Sequence, residues 1–94
     1  MNVVSFYRFT DVNDPDVVRG RLQVLCEKEG LLGSILVACE GVNGTLAGEA
    51  ESIRSVFSWV EEKLSLDAVI EGRWTEADAA PFRRMRVKVK KEIV

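Results

Sequence analysis

The 94-residue sequence contains no histidine and two cysteines, Cys26 and Cys39. With no histidine and no Cys-x-x-Cys pair, the usual ligands of a zinc site are missing. Both cysteines fall within apolar segments, a helix face and a strand, so we expect small core residues rather than a disulfide framework. No apolar run approaches the roughly 20 residues of a membrane helix, and no basic segment leads into a hydrophobic signal core. We therefore expect a cytoplasmic protein with no membrane partner.

The composition indicates a folded chain with an uneven charge distribution. Apolar residues make up 47% and charged residues 30%, which excludes a disordered or collagen-like chain. Ninety-four residues are enough for a single domain with a modest core. The net charge is −2, but residues 73–94 hold 7 of the 13 basic groups and 3 of the 15 acidic ones. The C-terminal end is thus a basic patch on an acidic domain.

Strand and helix patterns alternate along the chain. Residues 3–9 are rich in β-branched and aromatic side chains, which predicts a first strand. Asp14 as N-cap and Pro15 as first helical residue predict a helix that ends just before Gly30. A second amphipathic helix is predicted over residues 50–64. Each helix carries an apolar stripe, formed by Val18, Leu22, Leu25 and Cys26 in the first and by Ile53, Val56, Phe57, Val60 and Leu64 in the second.

The stretch from residue 31 to residue 48 predicts a buried β-hairpin. Residues 35–39 are all apolar, as in a central strand that is covered on at least one face. Gly41 and the Asn43-Gly44 pair reach positive φ at low cost, so we expect the chain to reverse there and return in a second strand.

The C-terminal region predicts one more strand, over residues 85–93, where apolar and charged side chains alternate. Residues 67–74 are ambiguous between a short strand and a packed return. The order β-α-β-β-α-β predicts an α+β, ferredoxin-like fold, with a four-stranded antiparallel sheet and two helices on one face. The side chains expected against the helices are those of Met85, Val87 and Val89. Those expected on the sheet face left uncovered, the open face, are Arg86, Lys88 and Lys90.

Two segments, ACEGVNGTLAG at residues 38–48 and PFRRMRVKVKKEIV at residues 81–94, carry a family resemblance. In this order and spacing they resemble the N-terminal, acylphosphatase-like domain of the rhodanese-containing tRNA uridine 5-hydroxylase family. The resemblance covers essentially the whole chain. It implies that the full-length protein hydroxylates the wobble uridine of certain tRNAs with molecular oxygen.

The same resemblance implies that the chemistry lies elsewhere in the protein. The reactive cysteine of the family belongs to a rhodanese-like domain that follows the KKEIV segment. We therefore expect residues 1–94 to be one accessory domain with no catalytic residue and no cofactor of its own. Its expected partners are tRNA and the rhodanese-like domain. An alternative is that the domain mediates interactions of a rhodanese-type sulfurtransferase.

The basic C-terminal strand is the candidate RNA-binding site. Cations at alternate positions lie roughly 6.6 Å apart on one face of a strand, and closely spaced cations bind a phosphate backbone by releasing its counterions. The alternative is a solvated strand whose charges prevent edge-to-edge aggregation. The candidate RNA-binding residues are Arg83, Arg84, Arg86, Lys88, Lys90 and Lys91.

The predicted hairpin turn is a second candidate surface. Its residues suit a tight turn through their backbone freedom, but a glycine-rich turn also approaches neighbouring backbone closely. It could therefore dock on the rhodanese-like domain or on RNA. The candidate docking residues are Glu40, Gly41, Asn43 and Gly44.

Two further hypotheses concern the first strand. Tyr7 and Phe9 are comparable with the base-stacking aromatics of an RNA recognition motif, but the third strand offers Thr45 and small or aliphatic residues instead of aromatics, so we expect core positions for both. Arg8 and Asn43 are comparable with the arginine and asparagine of acylphosphatases. However, the loop after the first strand lacks a glycine-bearing phosphate cradle and contains an acid, which argues against acyl-phosphate hydrolysis.

Overall fold

The computed structural model describes residues 1–64, 70–79 and 81–90. These residues form, in chain order, β1 (Asn2–Phe9), α1 (Pro15–Lys28), β2 (Leu32–Ala38), β3 (Gly41–Gly48), α2 (Ala50–Lys63), β4 (Gly72–Glu76) and β5 (Met85–Val89). Both helices, β1 and β2 follow the sequence pattern, whereas β3 begins before the predicted return strand. The predictions for Lys91 and for the end of the last strand lie outside the described residues.

The strands form one sheet in the order β4-β1-β3-β2-β5. Neighbours among β1 to β4 are antiparallel, whereas β5 runs parallel to β2. The ferredoxin-like arrangement of two helices on an α+β sheet is confirmed. The predicted four-stranded antiparallel sheet is wrong, because the described residues form five strands in a mixed sheet.

The difference comes from β4, which begins in the stretch of residues 67–74 that was ambiguous in the sequence and extends beyond it. This strand lies beside β1, at one edge of the sheet. Trp74 holds it there, since its ring lies edge-on to Phe57 of α2 with centroids 6.3 Å apart, and the Arg54 guanidinium lies over it at 5.4 Å. The basic strand β5 consequently lies at the opposite edge, where alternating charge suits an exposed strand.

The core lies between the helices and one face of the sheet. α1 contacts β2 and β5, and α2 contacts β3. Phe6 of β1 packs edge-on against Phe57 of α2, with centroids 4.9 Å apart. The predicted helix stripes are confirmed: Val18, Leu22, Cys26, Ile53, Val56, Phe57 and Val60 are buried, and Leu25 and Leu64 are partly buried. Val89 is 39% exposed, contrary to prediction, because it ends an edge strand.

The hairpin turn is shorter than the sequence predicts. The chain reverses at Cys39 and Glu40, so Gly41 opens β3 and the Asn43-Gly44 pair lies within that strand. The predicted reversal at these glycines is therefore wrong. Cys39 is exposed in the turn, so its predicted core position is wrong as well.

Close backbone packing, rather than a turn, requires glycine at position 41. Its φ is +147°, and a Cβ there would run into the carbonyl of Arg8 and lie 3.0 Å from the Cα of Phe9. Glycine at this position thus allows β3 to approach β1 at the start of their pairing.

Candidate functional site

The open face of the sheet presents side chains in rows that cross several strands. One row consists of Tyr7, Asn43, Leu36 and Lys88, which are successive partners on β1, β3, β2 and β5. The next row crosses all five described strands and consists of Arg73, Ser5, Thr45, Ser34 and Arg86. Together the rows line an open concavity of about 1490 Å³.

Tyr7 and Phe9 lie on the open face with 64% and 62% of their surface exposed. Their rings meet edge to face, with centroids 5.7 Å apart and planes at 68°. The predicted core positions are therefore wrong. The reason is strand alternation, because Phe6 takes the helix side and its odd-numbered neighbours must point the other way. The polar Ser5 in the same set was the available sequence signal for this side.

The cations of β5 lie where the alternation predicts. Arg86 and Lys88 are exposed on the strand, Lys90 follows it, and all three line the open face. Arg83 and Arg84 are exposed but precede the strand, and in the described part of the chain they are not among the residues lining the concavity. Lys91 lies outside the described residues. RNA binding by these residues stays a prediction.

Arg73 is a cation of this face that sequence reasoning missed. It pairs with Ser5 and lines the same concavity from β4, at the edge opposite β5. Cations thus flank the aromatic pair at both edges of the sheet. Glu71 is the one acidic side chain among the described residues that line the concavity. The face is therefore predominantly cationic.

Gln23 of α1 fixes the position of β5. Its side-chain N–H donates to the carbonyl of Met85, and its side-chain carbonyl accepts from the backbone N–H of Val87, both at 2.8 Å. The carbonyl of Arg84 and the N–H of Lys90 form hydrogen bonds with β2. Because backbone groups alternate along a strand, those of Met85 and Val87 point away from β2, to the outer edge of the sheet. Gln23 satisfies two of them and thereby holds the cationic side chains over the open face.

The candidate docking residues do not form one surface. Glu40 is exposed at the tip of the hairpin, whereas Gly41 is buried at the start of β3. Asn43 faces the open side of the sheet beside Tyr7. Gly44 lies in the middle of β3, where a Cβ would come 2.9 Å from the Cα of Ile35. Docking at the hairpin tip stays a prediction, and the rest of the set belongs to the sheet.

The pairing of strands separates the two residues that an acylphosphatase would bring together. Arg8 pairs with the buried Val42, while Asn43 pairs with the exposed Tyr7. Because side chains alternate between the faces of a sheet, Arg8 and Asn43 point to opposite sides. The strand pairing therefore gives no support to a common phosphate site, although both residues border the open concavity.

The loop after β1 is also occupied by backbone hydrogen bonds. The N–H of Thr10 donates to the carbonyl of Glu40 at 2.9 Å, and the N–H of Val12 donates to the carbonyl of Cys39 at 3.0 Å. A phosphate cradle needs free N–H groups that converge on the anion. These two donors are already used to tie the loop to the hairpin, so the geometry gives no support to acyl-phosphate hydrolysis.

Cys26 is not placed as an activated nucleophile. Burial raises the pKa of the Cys26 thiol to about 12, with further contributions from Glu27 and Glu29. A thiol with such a pKa is neutral at physiological pH, and the thiolate is the nucleophilic form. Cys39 lies exposed at the hairpin turn. Cys26 is therefore a structural residue.

The described residues contain neither a metal-binding cluster nor a membrane-spanning helix. Across residues 1–64, 70–79 and 81–90, no three Cys, Asp or Glu side chains group in a way that could hold a metal ion. Neither helix in these ranges has the length and apolar character needed to cross a membrane.

Comparison with known proteins identifies the chain over nearly its whole length. Residues 1–93 match the family described as UPF0176 acylphosphatase like domain. The tRNA uridine(34) hydroxylase of Gluconobacter oxydans (strain 621H) is 45% identical over 94 residues, which is 100% of this chain and 30% of that protein. The enzyme of the same name from Arthrobacter sp. (strain FB24) is 39% identical over 98% of this chain and 31% of its own length. The chain thus spans about 30% of these relatives.

Solved structures agree on the fold. An acylphosphatase from Coxiella burnetii superposes with a TM-score of 0.62 at 21% identity, over 92% of this chain and 90% of that one. At this identity the similarity concerns the architecture alone.

Proposed function

Because the chain belongs to the UPF0176 acylphosphatase-like domain family, we propose that it is the accessory, tRNA-contacting domain of an enzyme that hydroxylates tRNA uridine 34. The relatives that it matches carry this activity in their name, and the chain corresponds to about 30% of their length. The catalytic residues then lie in the rest of the protein, in a rhodanese-like domain after residue 94, with molecular oxygen as cosubstrate and the cytoplasm as the site of action.

The observation that carries the RNA-contact role is the cationic open face. Arg86, Lys88 and Lys90 project from one edge, and Arg73 projects from the other, over a concavity with one described acidic side chain. Each phosphate neutralised by such a cation releases condensed counterions, which favours binding at low salt. Contacts of this kind supply affinity and position the RNA without reading its sequence. That division of labour suits a domain that holds substrate for a separate catalytic domain.

The proposal is tested with labelled tRNA and the 94-residue chain across a salt series. The variant combines Arg86→Ala and Lys88→Ala, which removes two cations of the open face. The control combines Arg21→Ala and Lys28→Ala, two exposed cations of α1, and has the same net charge. We expect the open-face variant to bind more weakly and its log-log salt slope to fall by about 1 for each phosphate that is no longer neutralised.

The control should retain the affinity and slope of the unchanged chain. If both double variants behave alike, the effect is one of net charge and the open face is not the RNA contact. If the unchanged chain binds tRNA without salt dependence, or does not bind it, the proposal is wrong.

A further inference from the structure

Two exposed aromatic rings lie on the cationic open face of the sheet. Tyr7 and Phe9 expose about two-thirds of their surface, although Phe6, which precedes them on β1, is buried. Aromatic side chains with such exposure are unusual on a small domain, and adjacent ones form an apolar patch that marks an interaction site. The patch lies beside Asn43 and is flanked by the row that runs from Arg73 to Arg86.

The arrangement of the two rings limits what they can contact. Their planes are inclined at 68°, so they do not form a single flat platform. Each ring instead offers its own face, and the two residues are separated along one strand by about 6.6 Å. Flat groups stacking on them would therefore bind as two separate units in sequence along β1.

The cations define where a polyanion would lie relative to the rings. Lys88 is the third strand partner across from Tyr7, so the two backbones are roughly 14 Å apart at the usual strand spacing. A phosphate backbone held along β5 by Arg86, Lys88 and Lys90 would thus have its bases directed across β2 and β3 towards β1. The sheet surface beside this path is polar and includes the Ser5 and Thr45 hydroxyl oxygens, which are 3.2 Å apart.

We propose that the open face binds a single-stranded RNA segment, with one unpaired base on Tyr7, the next on Phe9, and the phosphates on the cations of β5. A duplex keeps its bases stacked on one another, so it would use the cations and leave the rings unoccupied. Unpaired bases have free faces, and base-aromatic stacking tolerates any base because each has a π-face. This inference rests on the proposed tRNA contact and adds the kind of RNA structure that is bound.

The test uses three probes, each labelled with fluorescein: a ten-nucleotide uridine RNA, the same oligomer with abasic sites in place of the bases, and a ten-base-pair RNA duplex. The protein variant combines Tyr7→Ala and Phe9→Ala, whose side chains are exposed, so folding should be retained. Tyr7→Phe keeps the ring without the hydroxyl. Val24→Ala, at a 67% exposed position of α1, is the matched control for losing exposed apolar surface.

We expect the unchanged chain to bind the uridine RNA at least about 30-fold more tightly than the abasic oligomer, because each of the two stacked bases contributes about fivefold or more. The double alanine variant should lose this preference and bind both oligomers alike, whereas Tyr7→Phe and Val24→Ala should retain it. Binding of the duplex should be insensitive to the aromatic substitutions.

The stacking inference is overturned if the uridine and abasic oligomers bind equally to the unchanged chain, or if the double alanine variant keeps the preference. If in either case the Arg86→Ala, Lys88→Ala variant still weakens tRNA binding, the proposed tRNA contact stands and stacking alone fails. If that cation variant also binds tRNA unchanged, the proposed function fails together with the inference.

Discussion

The side-chain carbonyl of Gln23, on α1, accepts a 2.8 Å hydrogen bond from the backbone N–H of Val87 at the outer edge of β5. The same amide group donates to the carbonyl of Met85. A parallel edge strand would otherwise leave these groups to water or to another chain. The helix thus completes the hydrogen bonding of the strand that carries the basic side chains, and stability is coupled to the shape of the open face.

Replacement of Gln23 by alanine should therefore loosen β5. Removal of both hydrogen bonds predicts a fall of about 1–3 kcal/mol in the free energy of unfolding, because Met85 and Val87 are left without their partners. Urea unfolding measures this change, and amide hydrogen exchange should be faster at Val87. Arg21→Ala, at an exposed position of the same helix, is the control. Equal stability of the two variants would mean that Gln23 does not hold the strand.

Replacement by alanine should have opposite effects on stability at two glycines, Gly41 and Gly20. Gly41→Ala places a Cβ against the backbone of Arg8 at a φ of +147°, which predicts destabilisation by about 2 kcal/mol or more. Gly20 lies within α1, where an added Cβ meets no atom within 4 Å of the described structure. Gly20→Ala should stabilise the chain by about 0.5–1 kcal/mol. Thermal unfolding of the two variants checks the pair, and a stabilising Gly41→Ala would contradict the described strand approach.

The two thiols should differ sharply in reactivity. Cys39 is exposed, whereas Cys26 is buried and its pKa is raised to about 12 by burial. A thiol reagent at pH 8 should modify one equivalent quickly in the folded chain and the second only on unfolding. The Cys39→Ser variant should lose the fast phase. Fast modification of both cysteines in the unchanged chain would show that Cys26 is accessible.

The raised pKa of the Cys26 thiol also predicts a loss of stability at alkaline pH. Its thiol has a pKa of about 12 in the folded chain against 9.0 for an unperturbed thiol. Above pH 9 the unfolded chain releases this proton and the folded chain keeps it, so the free energy of unfolding falls as pH rises towards 12. The Cys26→Ala variant, which has no thiol there, should show a shallower decline over this range in denaturant titrations. Parallel curves for the two proteins would assign the decline to other groups.

Sequence periodicity was sufficient for both helices and their buried stripes, because an amphipathic helix repeats its apolar residues along one face. It was insufficient for β4, which is held by pairing with β1 and by the contact of Trp74 with a helix that lies close only in the folded chain. Without β4, the sequence could not place Arg73 on the open face. Ser5 lies on the same face of β1 as Tyr7 and Phe9, so its polarity indicated that this face is exposed. The aromatic character of Tyr7 and Phe9 nevertheless favoured a core position. The contacts of Gln23 depend on the helix lying beside β5 and have no local signal.

Amide NMR shifts of the 94-residue chain on titration with a tRNA anticodon stem-loop show whether the open face of the sheet contacts RNA. Shifts that follow the rows through Tyr7, Asn43, Thr45 and Lys88, with Val17 and Val24 of α1 unaffected, are the predicted result. Shifts confined to the helical side, or no shifts at RNA concentrations that saturate the binding seen in the salt series, would show that the open face is not the RNA contact.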